Sequence, residues 1–209
     1  MAARRPTRAQ QKEETRAHLV AVARDAFIER GFEGTTIREI ARRAGVATGT
    51  VFVHFPDKHA LLAAVFLEGL GGALDEAWRT IPPRPLERQL LHLAGRLYAY
   101  YAARPALARV LVKESLFMED EPGEALDAQR AEFLEKVVAL MSTARDLGEW
   151  RVDVELSVAV RLFFGTYFTT LVEGLRGELG APDEWTAALE AALTPWLFPQ
   201  RATPGRGGT

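Results

Sequence analysis

The chain has 209 residues, 48% of them apolar and 26% charged, which is length and apolar content enough for one or two domains with real cores. It contains no cysteine, which excludes disulfides and thiolate metal sites. The formal net charge of −2 hides a split: residues 1–62 carry 11 Lys and Arg against 7 Asp and Glu, and the remainder 15 against 21. A basic segment joined to an acidic body fits a nucleic-acid reader attached to a second domain, because positive charge is needed only where phosphates dock. No basic start followed by an apolar run marks a secretory signal, and no uninterrupted apolar run is long enough to cross a bilayer. The expectation is a cytoplasmic protein with no membrane partner.

Residues 1–12, with Arg4, Arg5 and Arg8, read as a flexible basic arm of the kind that follows phosphates or enters a minor groove. A first helix is predicted over 13–30, with Leu19, Val20, Ala23, Ala26 and Phe27 on its apolar face and Gly31 at its stop. Thr36 and Glu39 are spaced as a capping box and open a short helix over 36–44. Ile37, Ile40, Ala41 and Ala44 fall on one face of it, and Gly45 suits the left-handed residue that lets a helix stop and turn sharply. Val46 packs in the elbow, and a third helix runs over 48–55 with Val51 inward. Small Ala41 lets the two short helices cross closely, an arrangement that presents the second to a DNA major groove. Asp57 is the predicted N-cap of a fourth helix running from Lys58 to about Thr80, before Pro82-Pro83.

From Pro85 onward helical periodicity dominates, so the expected fold is all-α with about nine helices. Helices are read over 86–103, 106–117 behind Pro105, and 123–147 closed by Gly148. Another begins at Asp153 or Ser157 and ends near Leu179, and a last one follows Pro182 and is ended or kinked by Pro195. The domain reading is 13–73 for the reader, with its motif at 36–55, then 74–198 for a second domain and 199–209 for a disordered tail. The helix through Val160, Phe163, Phe164, Tyr167 and Phe168 is apolar around much of its circumference and needs cover on two sides. One side is the monomer core; for the other, a self-complementary contact with a second copy is the commonest solution, with Val160, Phe164, Phe168, Leu171, Trp185 and Leu189 as the candidate seam, the alternative being that all of them lie inside one monomer. No catalytic constellation is present: His92 stands alone, Ser115, Ser142 and Ser157 lack a nucleophile elbow, and no Gly-rich phosphate loop occurs, so no cofactor, metal or enzymatic activity is expected. The aromatic residues Trp78, Tyr98, Tyr101, Phe117, Phe133, Phe163, Phe164, Tyr167 and Phe168 read either as plain core or, as a group, as the lining of an apolar cavity. In that cavity Arg96 or Glu114 would orient a ligand.

The ordered set Ala23, Phe27, Gly31, Phe32, Thr36, Ile40, Ala41, Gly45, Val46, Gly49, Thr50, Phe55, Lys58 and Leu61 resembles the TetR family of bacterial transcriptional regulators, over about residues 13–73. The resemblance implies a homodimer held by its last two long helices, a third helix in the major groove and a fourth that transmits ligand binding. It implies double-stranded DNA as a partner, and a repressor released from a palindromic operator by a small hydrophobic or aromatic inducer. Residue by residue it places Thr36, Thr48, Gly49, Thr50, Phe52, Val53, His54 and Lys58 at the DNA; beyond residue 73 only length and helical layout agree, and the candidate ligand pocket, Trp78, Tyr98, Tyr101, Phe117, Phe133, Phe163 and Tyr167, comes from the aromatic stock of the body. Three positions depart from the family pattern. Phe52 stands where Tyr is usual, Val53 where a polar or aromatic residue is usual, and His59 where Glu is usual. The rival readings are an all-helical small-molecule binding protein or enzyme whose N-terminal domain does not read DNA, and a constitutive DNA binder with a solid body.

Overall fold

The computed structural model describes residues 7–118, 121–150 and 153–198, and these carry nine α-helices and no strand. They are α1 (Arg8–Arg30), α2 (Ile37–Ala44), α3 (Thr48–His54), α4 (Lys58–Arg79), α5 (Leu86–Ala102), α6 (Pro105–Ser115), α7 (Glu121–Asp146), α8 (Leu156–Arg176) and α9 (Pro182–Leu197). The chain divides into two compact units, one built from stretches within 1–69 and 106–126, the other from 70–105 and 127–209.

In the first unit, α1 begins at Arg8, not at residue 13. Thr7 and Gln10 form a capping box there, the Thr7 hydroxyl accepting from the Gln10 N–H at 3.2 Å and the Gln10 side chain accepting from the Thr7 N–H at 2.8 Å. Arg8 therefore belongs to a helix rather than to an arm, while Arg4 and Arg5 lie outside the described residues. Leu19, Ala23, Ala26 and Phe27 of α1 close over Ile40 and Ala41 of α2 and Val51 of α3, all at most 2% exposed. Gly45 takes the left-handed conformation (φ 68°, ψ 28°), and the Val46 N–H donates to the Ala41 carbonyl at 3.0 Å, a Schellman closure that sets the elbow. Asp57 caps α4 as read, its carboxylate accepting from the Ala60 N–H at 2.8 Å.

In the second unit, α9 packs against both α5 and α8. Gly174 makes the α8–α9 approach possible: a Cβ there would overlap the indole of Trp185, which lies against the α8 backbone and donates Nε1–H to the Gly180 carbonyl at 3.1 Å. Gly177, at φ 82°, ends α8 with a left-handed cap, earlier than the end near Leu179 read from the sequence. Pro195 lies inside α9, which continues to Leu197. Trp150 donates its Nε1–H to the Leu197 carbonyl at 2.9 Å, fastening the segment after α7 to the end of α9. By length and composition alone α8 is apolar enough to cross a bilayer, although Arg161 and Glu173 interrupt its apolar run. Its Ala159, Phe163, Tyr167, Leu171 and Leu175 face is nevertheless buried within the fold, as in the core helix of a globular unit.

Candidate functional site

The first unit presents α3 as an exposed shelf. Val51 faces the core at 0% exposure, whereas Phe52 is 52% and Val53 70% exposed, with Gly49 open beside them. Thr48 and Phe52, and likewise Gly49 and Val53, are one helical turn apart, so the four make one continuous outer face. No atom lies within 4 Å of where a Gly49 Cβ would stand, so a ligand surface can come down to the backbone. Thr48 and Thr50 are half-buried at the rim of this face.

The scaffold beneath is tied by charge. Thr36 caps α2 by accepting from the Glu39 N–H at 3.2 Å, but the return half of the expected capping box is missing. The Glu39 carboxylate turns instead to Arg42 (2.8 and 2.9 Å) and Arg43 (2.9 Å), and Arg43 also reaches Glu29 on α1 at 2.7 Å. These bonds, that from Arg42 first, hold the Glu39 carboxyl down to about 2. The Thr36 hydroxyl keeps its proton to donate outward, as a phosphate contact requires.

Two residues assigned to DNA by resemblance are used differently. The Lys58 ammonium donates to the carbonyls of Phe32 (2.8 Å) and Thr35 (3.1 Å) and lies 4.1 Å from the centre of the Phe32 ring. It clamps the α1–α2 connection rather than standing free for a phosphate. His54 turns Nδ1 into a buried position without a hydrogen-bond partner, and burial, followed by the charges of Lys12 and Arg16, holds its pKa below the ordinary 6.5. His59, at the family's usual Glu position, packs its ring against Phe32 at 5.1 Å. Sequence reasoning missed Lys12 and Arg16, whose one-turn spacing sets two cations on the face of α1 that acts on His54, and it missed exposed Arg38 on α2. The signal for the first two was present in the i, i+4 spacing, once α1 is known to start at Arg8.

In the second unit the aromatic residues do not form one lining. Tyr98, Phe163, Tyr167 and Trp185 pack together: Tyr98 stacks on Tyr167 at 5.0 Å and meets the edge of Trp185 at 5.6 Å, with its hydroxyl donating to the Tyr167 carbonyl at 3.0 Å. All four are at most 5% exposed, and burial raises the hydroxyl pKa values of Tyr98 and Tyr167 well above 10. Tyr101 is also buried, at 8%. Phe117, read from the sequence as a candidate cavity residue, instead lies beyond the end of α6, is 87% exposed and belongs to the first unit. Arg96 pairs with Glu76 at 3.5 Å and Glu114 with Lys113 at 3.5 Å, so neither is held for a ligand. A cleft of about 350 Å³ opens elsewhere in this unit, among Trp78, Arg84, Gln89, Lys136, Leu140 and Leu147. Trp78 is the one expected pocket residue that lines it, and Phe133 backs Trp78 at 6.1 Å. His92 is a packed residue, its Nε2 near the Thr80 hydroxyl (3.0 Å) and the Ala77 carbonyl (3.2 Å).

The expected seam divides in the same way. Leu171, Trp185 and Leu189 are at most 3% exposed within a single chain, spent on the α8–α9 and α5–α9 packing, and so cannot face a second copy. Val160 is 9% exposed and Phe164 and Phe168 are half-buried. The uncovered stripe of α8 is Val158, Leu162, Gly165 and Thr169, spaced four, three and four residues apart, with Arg161 exposed beside it, and Trp196 of α9 is 66% exposed.

Residues 19–65 match the family described as bacterial regulatory proteins, tetR family. Over 200 residues the chain is 25% identical to the HTH-type transcriptional regulator SrpR of Pseudomonas putida, covering 88% of this chain and 84% of that one. Over 88 residues it is 39% identical to the HTH-type transcriptional repressor Rv3405c of Mycobacterium tuberculosis, covering 42% of this chain and 46% of the other. The fold is similar to that of FadR from Bacillus subtilis in complex with stearoyl-CoA, with a TM-score of 0.68 at 19% identity, covering 87% of this chain and 97% of that one.

Proposed function

By its N-terminal helix-turn-helix unit this chain belongs to the TetR family of bacterial regulatory proteins, and from that premise we propose that it is a homodimeric repressor, released from a palindromic operator by a small ligand. It is a DNA-binding transcriptional regulator. The observation that carries the proposal is the α3 shelf: an outer face with large apolar and small polar side chains, held rigidly by a Gly45 elbow and a buried Val51, on the basic segment of the chain. Such a helix enters a major groove, while Thr36, Lys12 and Arg38 supply phosphate contacts that fix its register.

One α3 spans few base pairs. Two copies about one helical turn of DNA (~34 Å) apart read a palindrome, which is why the α8 stripe of Val158, Leu162, Gly165 and Thr169 is assigned to the dimer, together with Phe164, Phe168 and Trp196. The cytoplasm, where the DNA is, is the proposed location.

The ligand reading follows from the cleft. Trp78, Leu140 and Leu147 offer an apolar wall, and beside it the Lys136 ammonium, 5.8 Å from the Trp78 ring centre, is paired with Glu132 at 2.8 Å. At about 350 Å³ the cleft sits at the low end of ligand sites, so it suits a small hydrophobic or aromatic ligand and is too small to enclose a whole long-chain acyl-CoA. The ligand acts by population shift, favouring a state whose two α3 helices no longer match successive grooves, so ligand and operator oppose each other reciprocally.

A fluorescence-anisotropy titration of the full chain on the DNA flanking its own gene, at two salt concentrations, tests the regulator reading. The expected result is a saturable complex that weakens steeply with salt and resists competition by unrelated duplex. Absence of a specific complex at low salt sinks it.

A further inference from the structure

We infer that this chain reads its operator half-site chiefly through thymine 5-methyl groups, with Phe52 and Val53 as the residues that contact them; the inference rests on the DNA-reading function proposed above. The α3 sequence is Thr48, Gly49, Thr50, Val51, Phe52, Val53 and His54. It contains no Arg, Lys, Asn, Gln, Asp or Glu, the side chains that pair bidentately with base edges in the major groove. His54, the one strong hydrogen-bonding ring on the helix, has its Nδ1 buried. The outward face is thus one threonine, one glycine, a phenylalanine 52% exposed and a valine 70% exposed.

The thymine methyl is the large apolar group that base edges offer to such a face in the major groove. Phe52 and Val53 are neighbours on α3, and Gly49 lies one turn before Val53 with open space above it, so the groove floor can approach both side chains at once. Arg38 and Lys12 carry charge for the phosphates but no sequence information. Specificity then falls on methyl contacts, with the Thr48 hydroxyl and methyl beside them.

The test begins with selection of duplexes from a random pool by the full chain. The enriched duplex is then resynthesised with each thymine replaced in turn by deoxyuridine, which removes only the 5-methyl. At two or more thymines in each half-site the affinity falls about fourfold per lost contact, the transfer preference of one methyl-sized group. The slope of log affinity against log salt stays unchanged, because no phosphate contact is lost. Phe52→Ala and Val53→Ala, both at exposed positions, keep the thermal melt of the parent, and each removes the deoxyuridine penalty at its own thymine. A duplex indifferent to deoxyuridine at every half-site thymine overturns the inference. So does a penalty that survives in both variants, which assigns it to DNA shape. Failure to enrich any duplex removes the DNA-reading function itself, a different outcome from either.

Discussion

Lys58 carries a charge at the edge of the DNA-reading unit yet spends it inside the protein. Its ammonium holds the Phe32 and Thr35 carbonyls and the Phe32 ring, so Lys58→Met, which keeps the apolar stem, is expected to cost about 1–2 kcal/mol of stability. The discriminating readout is salt. A lysine bound to phosphate, when removed, lowers the slope of log affinity against log salt by about 1, whereas loss of a structural clamp leaves it unchanged. A changed slope in Lys58→Met returns the residue to the DNA. His54 supplies a pH dependence of known sign. Its imidazole titrates below 6.5 in the fold because burial penalises the charged form, so the unfolded chain binds the proton more readily. Its contribution to stability is therefore whole above pH 6.5 and declines as pH falls from 6.5 towards the depressed value. Urea melts of the parent and of His54→Gln between pH 5 and 8 check this: the parent is expected to lose more stability over the acid half of that range. Equal losses exclude His54 as the group responsible.

At the scale of the element, Gly174 sets how closely α8 and α9 approach. With the Trp185 indole lying where a Cβ would stand, Gly174→Ala forces a shift of a fully packed ring, and a destabilisation of about 1–3 kcal/mol is expected in thermal or denaturant melts. An unchanged midpoint contradicts that packing. Such close approaches are what a single sequence hides. The helices themselves were legible, because Gly31, Gly45, Gly148, Asp57 and Pro105 stop or start them by local chemistry. The start of α1 was misread because the Thr7–Gln10 cap lies in a segment whose arginines suggest a free arm. The role of Glu39 was half legible: spacing showed a capping box, but two arginines three and four residues on compete for its carboxylate and win. The aromatic cluster was the least legible, since Tyr98 at 0% exposure and Phe117 at 87% both stand in the sequence as aromatic residues of predicted helices. Burial depends on the second helix, which no periodicity identifies.

For the whole molecule, the decisive quantity is how many copies of α3 meet DNA at once. The α8 stripe leaves Val158 46% and Leu162 36% exposed, and Trp196 on α9 is 66% exposed, apolar area that a second copy would cover. Gly165 and Thr169 continue the stripe with small side chains that allow two α8 helices to approach. Leu162→Arg replaces its central apolar side chain with a second cation beside the exposed Arg161, without touching the buried Phe163 and Tyr167 face. The expected outcome in sedimentation is a folded monomer in place of a dimer, with an unchanged helical signal in circular dichroism. Because linkage of two readers multiplies affinity through effective concentration, the monomer is expected to bind the palindromic operator about 100-fold more weakly. A single half-site should meanwhile be bound as well by the variant as by the parent. That pairing separates the role of α8 in assembly from any role in folding: a misfolded variant loses both sites, a pure assembly variant only the palindrome. A Leu162→Arg chain that still sediments as a dimer places the interface elsewhere on the molecule.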